Sequence, residues 1–174
     1  MPDVLVRHLT TNAAVTNDAA NMINTPYTGP IVNAQEIVNQ LTVLRRDDLR
    51  ASHWEMFLHT TTGNVIKVDL VAHFYRILYG AQVPTSANFT SEQLTINTPI
   101  RLGHIIQSVA IIANQVGAWS GTDDYNCQDF VLLFMDSIGM TAQQIFKYEL
   151  RRRVTKHMPP AVTQSVNGVV QTAW

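Results

Sequence analysis

The hydrophobic period of this chain changes from two to about three and a half part-way along, and that change limits the fold more than any other feature. Trp54, Met56 and Leu58 alternate with His53, Glu55, Phe57 and His59. A period of two sends alternate side chains to opposite faces, so this run reads as a strand. Thr60-Thr61-Thr62-Gly63-Asn64 is turn chemistry, and Val65, Ile66 and Val68 then read as a second strand of a hairpin. From Pro99 the spacing is helical. Ile100, Gly103, Ile106, Val109, Ile112 and Ala113 share a face, with Pro99 expected at the first helical position. Phe130, Val131, Leu133, Phe134 and Ile138 make the buried face of a second helix, between an Asn126 cap and a closing Gly139. Thr141 caps a last helix to about Val154, and Pro159-Pro160 stops it. Strands and helices are segregated along the chain, which indicates α+β rather than a parallel βαβ sheet.

The remaining segments carry weaker patterns. Asn33 to Arg45 reads as a helix, with Asn33 and Glu36 spaced as a capping box and Ile37, Val38, Leu41 and Leu44 as the apolar stripe. Val71 to Tyr79 fits a third strand or a helix. Gly80 to Asn88 is a loop, and Leu94 with Ile96 suggests a short strand. The expected organisation is an N-terminal arm over 1–32, with a short helix near Asp18 to Ile23, one α+β domain over 33–158, and a C-terminal tail over 159–174. A chain of 174 residues suits one domain with a substantial core.

Composition narrows the classes of partner. Charged residues are 14% and apolar residues 46%, which describes a compact globule rather than a disordered chain. A net charge of -1 gives no support for nucleic-acid binding. The dense basic run, Arg151-Arg152-Arg153 with Lys156, reads as a solvated helix end that complements the macrodipole. Low charge leaves apolar surface, which is compatible with a homo-oligomer. The single cysteine excludes an intramolecular disulfide. No signal peptide and no membrane-spanning run is visible, so the expected location is cytoplasmic.

That cysteine, Cys127, falls in Tyr125-Asn126-Cys127-Gln128-Asp129-Phe130, in the first turn of its helix. Unpaired amides and the positive end of the helix dipole favour a thiolate there and can receive an oxyanion. The candidate oxyanion side chains are Tyr125 and Gln128. A lone cysteine is more often a small buried hydrophobe, so a base must accompany it. His53, at the start of its strand, is the first candidate, and His59, on the same face at the strand's end, is the second. His73, His104 and His157 have no context that gives them a role. A third group would orient the imidazole. Asp69 can accept that hydrogen bond, Lys67 only donates, and Glu55 is a same-face neighbour of His53. No metal site is expected, because Cys pairs, HExxH and i, i+4 His pairs are absent, and no cofactor motif is present.

Together these segments resemble the histidine and cysteine boxes of the lecithin:retinol acyltransferase family. In that family a pattern close to His-Trp-x-x-Tyr, a Gly turn and Val-Ile-His precedes Asn-Cys-Glu-His-Phe. Here the boxes read His53-Trp54, Gly63-Asn64-Val65-Ile66-Lys67-Val68 and Asn126-Cys127-Gln128-Asp129-Phe130. NlpC-type and PPPDE-type peptidases share the order, and the resemblance covers roughly 51–139. It implies a circularly permuted papain-like fold, with a small antiparallel sheet packed on helices. It also implies a thiol hydrolase (peptidase or amidase) or acyltransferase acting on an amide, isopeptide or ester bond of a peptide, protein or lipid acyl substrate. Cys127 would be the nucleophile and His53 the base. The family's third residue, often a second histidine, falls at Lys67, so Asp69 would have to substitute. The sequence shows no C-terminal membrane anchor, which tilts the expectation from lipid towards an amide or peptide bond. The alternative is a catalytically inactive papain-like binding or structural module, with Cys127 buried.

Overall fold

The computed structural model describes residues 3–8, 33–46, 52–71, 74–117, 119–121 and 124–157. The expected short helix near Asp18 to Ile23 and the C-terminal tail lie outside them. Among the described residues six strands form one sheet: β1 (Asp3–His8), β2 (Ile37–Arg46), β3 (Trp54–Thr60), β4 (Val65–Val71), β5 (Phe74–Tyr79) and β6 (Phe89–Arg101). Three helices follow among the described residues: α1 (Leu102–Val116), α2 (Cys127–Ser137) and α3 (Ala142–His157). The strand order is β1-β5-β4-β3-β2-β6. All neighbours are antiparallel except β1, which lies parallel to β5 at one edge. The α+β class is therefore as expected. The expected arm contributes an outer strand, Asp3–His8.

The segment Asn33 to Arg45 is not a helix. Ile37–Arg46 is β2, paired on both sides with β3 and β6. The pairing register slips between Val38 and Gln40. A bulge there shifts the phase of the alternation, so Val38 and Leu41, three apart, both face the helices. Leu44 turns to the opposite face, against Phe57 and Leu78. A strand buried on both faces with one bulge thus imitates helical spacing. The Asn33 side chain does accept an amide, from Gln35 at 3.0 Å, but within a turn. Glu36 does not reach back to a cap. Its carboxylate instead accepts from Thr60, Thr62, Asn64 and Tyr79, tying β2 to the β3–β4 turn.

Pro99 is not the first residue of a helix either. β6 runs through it to Arg101. Opposite the slip in β2, Ile100 pairs with Val38 while Thr95 pairs with Gln40, so the residues between them bulge out of register. A residue without an N–H is tolerated at such a bulge on an outer strand. The α1 helix starts at Leu102 without a side-chain cap. The amides of Leu102 and Gly103 go instead to the carbonyls of Glu36 and Ala34, each at 2.8 Å. Trp54, Met56, Leu58, Ile66, Val68, Phe130 and Phe134 are central to the core between sheet and helices. Leu133, expected on the buried face of α2, is exposed. The basic run is corrected more sharply: Arg151 and Arg152 are buried inside the fold.

Candidate active site

Asn126 builds the start of α2. Its side chain accepts the amide of Gln128 at 2.9 Å and that of Asp129, and the Asp129 carboxylate accepts the Asn126 amide at 3.1 Å. This reciprocal box takes the second and third helical amides, and the Asn126 carbonyl takes that of Phe130. The amide of Cys127 itself is the remaining donor of that first turn. Cys127 is buried, at 8% exposure, with its sulfur 4.0 Å from the Ser52 carbonyl oxygen.

His53 stands at the mouth of β3, held by Arg46, whose amide donates to the His53 carbonyl at 3.1 Å. Its ring Nε2 is 3.2 Å from Oδ2 of Asp69 on β4. Burial would pull the imidazolium down. Hydrogen bonds to Asp69 and to the Cys127 side chain, together with the charges of both, reverse this and raise the ring from 6.5 to about 9. Nε2 is the ring atom that Asp69 takes. The direction of that shift favours the imidazolium beside the Asp69 carboxylate.

Asp69 is fully buried. Burial raises its carboxyl, but Arg76 and His53 outweigh that and hold it far below the usual range. Arg76 lies directly across from it in the β4–β5 register, and its Nε donates at 2.8 Å. Lys67, the position aligned with the family's second histidine, turns elsewhere. Its ammonium is 2.7 Å from Glu55 and 3.7 Å from Asp69. Glu55 is bound by Lys67 and by Arg46 at 2.9 Å, and is 3.8 Å from His53.

The structure thus brings Cys127, His53 and Asp69 together and sets Lys67 and Glu55 behind them. His59 lies at the far end of β3, about 20 Å along the strand from His53. It pairs with Thr42 at 2.7 Å, and burial lowers its ring. His104 is on α1, whereas His73 and the side chain of His157 lie outside what is described. Both side chains expected at an oxyanion have partners within the protein. The Tyr125 hydroxyl contacts that of Tyr75 at 2.9 Å, and Tyr75 donates onward to the Gly117 carbonyl, so the Tyr125 proton points at Tyr75. The Gln128 amide donates to the Ser52 carbonyl at 2.9 Å.

His53, Glu55 and Asp69 also place three ligand atoms within 4.8 Å of one another. These residues do not suit a metal ion. Each carboxylate already faces a fixed cation, Lys67 or Arg76, and the upward shift of the His53 ring favours its protonated form, which cannot ligate.

Comparison with protein-family models, curated proteins and solved structures gives no match. The likeness of the two boxes therefore rests on their residues alone. Sequence reasoning missed Arg76 and Arg152. Arg76 had one readable signal: if Val71 to Tyr79 is a strand hairpinned to β4, Asp69 and Arg76 fall opposite each other. Arg152 had none, because a buried arginine in a basic run looks like a solvated one. No helix among the described residues is long and apolar enough to cross a membrane.

Proposed function

We propose that this chain is a cysteine-dependent hydrolase or acyltransferase acting on an amide, isopeptide or ester bond, on a permuted papain-like (NlpC-type) scaffold. The observation that carries the reading is His53 bonded to the buried Asp69 at 3.2 Å and electrostatically coupled to Cys127, whose sulfur lies 4.0 Å from the carbonyl of the preceding residue, Ser52. Asp69 fixes the ring and stabilises its protonated form, and the imidazolium supports a thiolate on the other side. The thiolate attacks the substrate carbonyl carbon, and the carbonyl π electrons move to oxygen. The Cys127 amide donates to that oxyanion. The tetrahedral intermediate collapses to a thioester as His53 protonates the departing amine or alcohol. His53, now neutral, takes a proton from water or an acceptor nucleophile, which attacks the thioester and releases Cys127. The order of the elements, histidine strand before cysteine helix, also supports this scaffold.

Burial of the thiol favours a second reading, an inactive binding or structural module of the same fold. Alkylation separates the two. Iodoacetamide modification of Cys127 is followed from about pH 4 to 9. At about pH 6 the protein should react at least roughly tenfold faster than His53→Ala. Equal, slow rates in both proteins would sink the enzyme reading and leave the module.

A further inference from the structure

The thiol and the imidazole come from parts of the chain far apart in sequence, so the distance between them depends on how α2 seats against the mouth of β3. Apolar packing alone sets such a distance loosely, whereas a buried hydrogen bond sets it with direction. One such bond joins the immediate neighbours of both residues. Gln128 follows Cys127 and Ser52 precedes His53, and Gln128 Nε2 donates to the Ser52 carbonyl at 2.9 Å. Gln128 is buried.

The other end of the same amide is held from behind. Arg152 on α3 places Nη1 3.4 Å from Gln128 Oε1. Arg152 is itself fixed to Asp129 by two bonds, Nε to Oδ1 at 3.0 Å and Nη2 to Oδ2 at 2.8 Å. A two-pronged guanidinium–carboxylate pair has little freedom to turn. Nη2 also lies 3.5 Å from the Asp124 carbonyl, just ahead of the cap. A buried arginine thus grips the capping box that sets the direction of Cys127, and orients the amide that grips the histidine's backbone. It also neutralises Asp129, an anion two residues from the sulfur that would otherwise oppose a thiolate.

We propose that Gln128 and Arg152 are positioning residues that hold the Cys127–His53 pair in register. This rests on the Cys–His reading given above. The pair's charged surroundings are Asp69 and Glu55 facing His53 from the sheet, with Arg76, Lys67 and Arg46 behind them, and Asp129 with Arg152 behind Cys127.

The test is Cys127 alkylation by iodoacetamide in the intact chain, with Gln128→Met, Arg152→Met, Arg152→Lys and His53→Ala beside the unaltered protein. Gln128→Met keeps volume and removes the amide. It should slow alkylation roughly fivefold or more at about pH 6, since small misplacements of reacting groups are costly. The difference should close near pH 9, where His53 itself loses its proton. Arg152→Met should behave similarly, and Arg152→Lys should recover part of the rate because charge returns without the two-pronged grip. Should Arg152→Met fail to fold, Asp129→Asn with Arg152→Met removes the stranded carboxylate and tests the loss of the Arg152 hold in its place, while Gln128→Met tests Gln128 separately. Gln128→Met reacting like the unaltered protein at every pH overturns the proposal. So does a slowing of equal size at every pH, the mark of a merely structural role. If the unaltered protein and His53→Ala react alike, the Cys–His reading falls and the positioning role falls with it, a pattern distinct from either.

Discussion

Asp69 hydrogen-bonds two partners at once, the Arg76 guanidinium across the strand pair and the His53 ring at the site, with the Lys67 ammonium 3.7 Å away. Replacing it with Asn keeps the shape and removes the charge both partners rely on. Breaking a buried pair on one side costs about 3 kcal/mol, because the cation stays buried without its counter-ion. For a chain of this size that corresponds to a fall in Tm of roughly 10 °C. Asp69→Asn should therefore lower Tm by that order, measured by thermal melting, and bring Cys127 alkylation near neutral pH close to the His53→Ala rate. An unchanged rate would show that Asp69 is structural only. At this scale the sequence was readable where a residue opens a periodic element: Cys127 after a capping Asn126, His53 before an alternating strand. Donor–acceptor chemistry also favoured Asp69 over Lys67, but that choice stayed open where register decides. Asp69, Glu55 and Lys67 all lie on the same face of neighbouring strands, and only the pairing puts Asp69 against the ring.

At the scale of elements, the hairpin β3–β4 and the helices α2 and α3 follow the patterns expected of them, because each alternates or repeats cleanly and carries its own turn or cap. Thr141 accepts the Gln144 amide at 3.2 Å while Gln144 accepts that of Thr141 at 2.9 Å, a reciprocal cap written in the sequence. β2 and the end of β6 carry a helix-like pattern for one shared reason. The slip at Val38/Gln40 breaks the period in both strands, and a broken period of two resembles a helix. The bulge brings the Ala34–Glu36 turn against the start of α1, where a side chain on Gly103 would stand 3.2 Å from the Ala34 carbonyl oxygen. That is closer than a methyl group normally approaches backbone oxygen, and backbone cannot swing aside as a side chain can. Gly103→Ala should destabilise the protein by about 1–2 kcal/mol, as overpacking does, despite the better helix propensity of alanine. Urea unfolding checks this, and a gain in stability would show that the turn yields.

Across the whole molecule, the sheet divides an apolar face covered by helices from a face carrying Glu55, Lys67, Asp69 and Arg76. Net charge is only -1, so general self-repulsion changes little over moderate pH. Stability should then follow the few titrating groups that folding perturbs. His53 is raised from 6.5 to about 9. A raised histidine contributes stability that is complete below its unfolded value and lost as pH climbs through the folded one, because the unfolded chain releases the proton first. Asp69 is lowered, with Arg76 and His53 overcoming its burial. Glu36 is also lowered, with hydrogen bonds from Thr62, Tyr79, Asn64 and Thr60 overcoming its burial. Their contribution is complete above the ordinary carboxylate range and lost as pH falls through the folded values. The urea midpoint should accordingly be highest between about pH 5 and 6.5, decline towards pH 9, and fall again below about pH 4. In His53→Ala the decline between about pH 6.5 and 9 should largely vanish while the acid limb stays, since Asp69 keeps Arg76 and Glu36 is at the opposite end of the strands. A midpoint in the unaltered protein that is level from pH 6.5 to 9 would mean that folding does not raise His53, and with it the imidazolium on which both the attack and the leaving-group step depend would be absent.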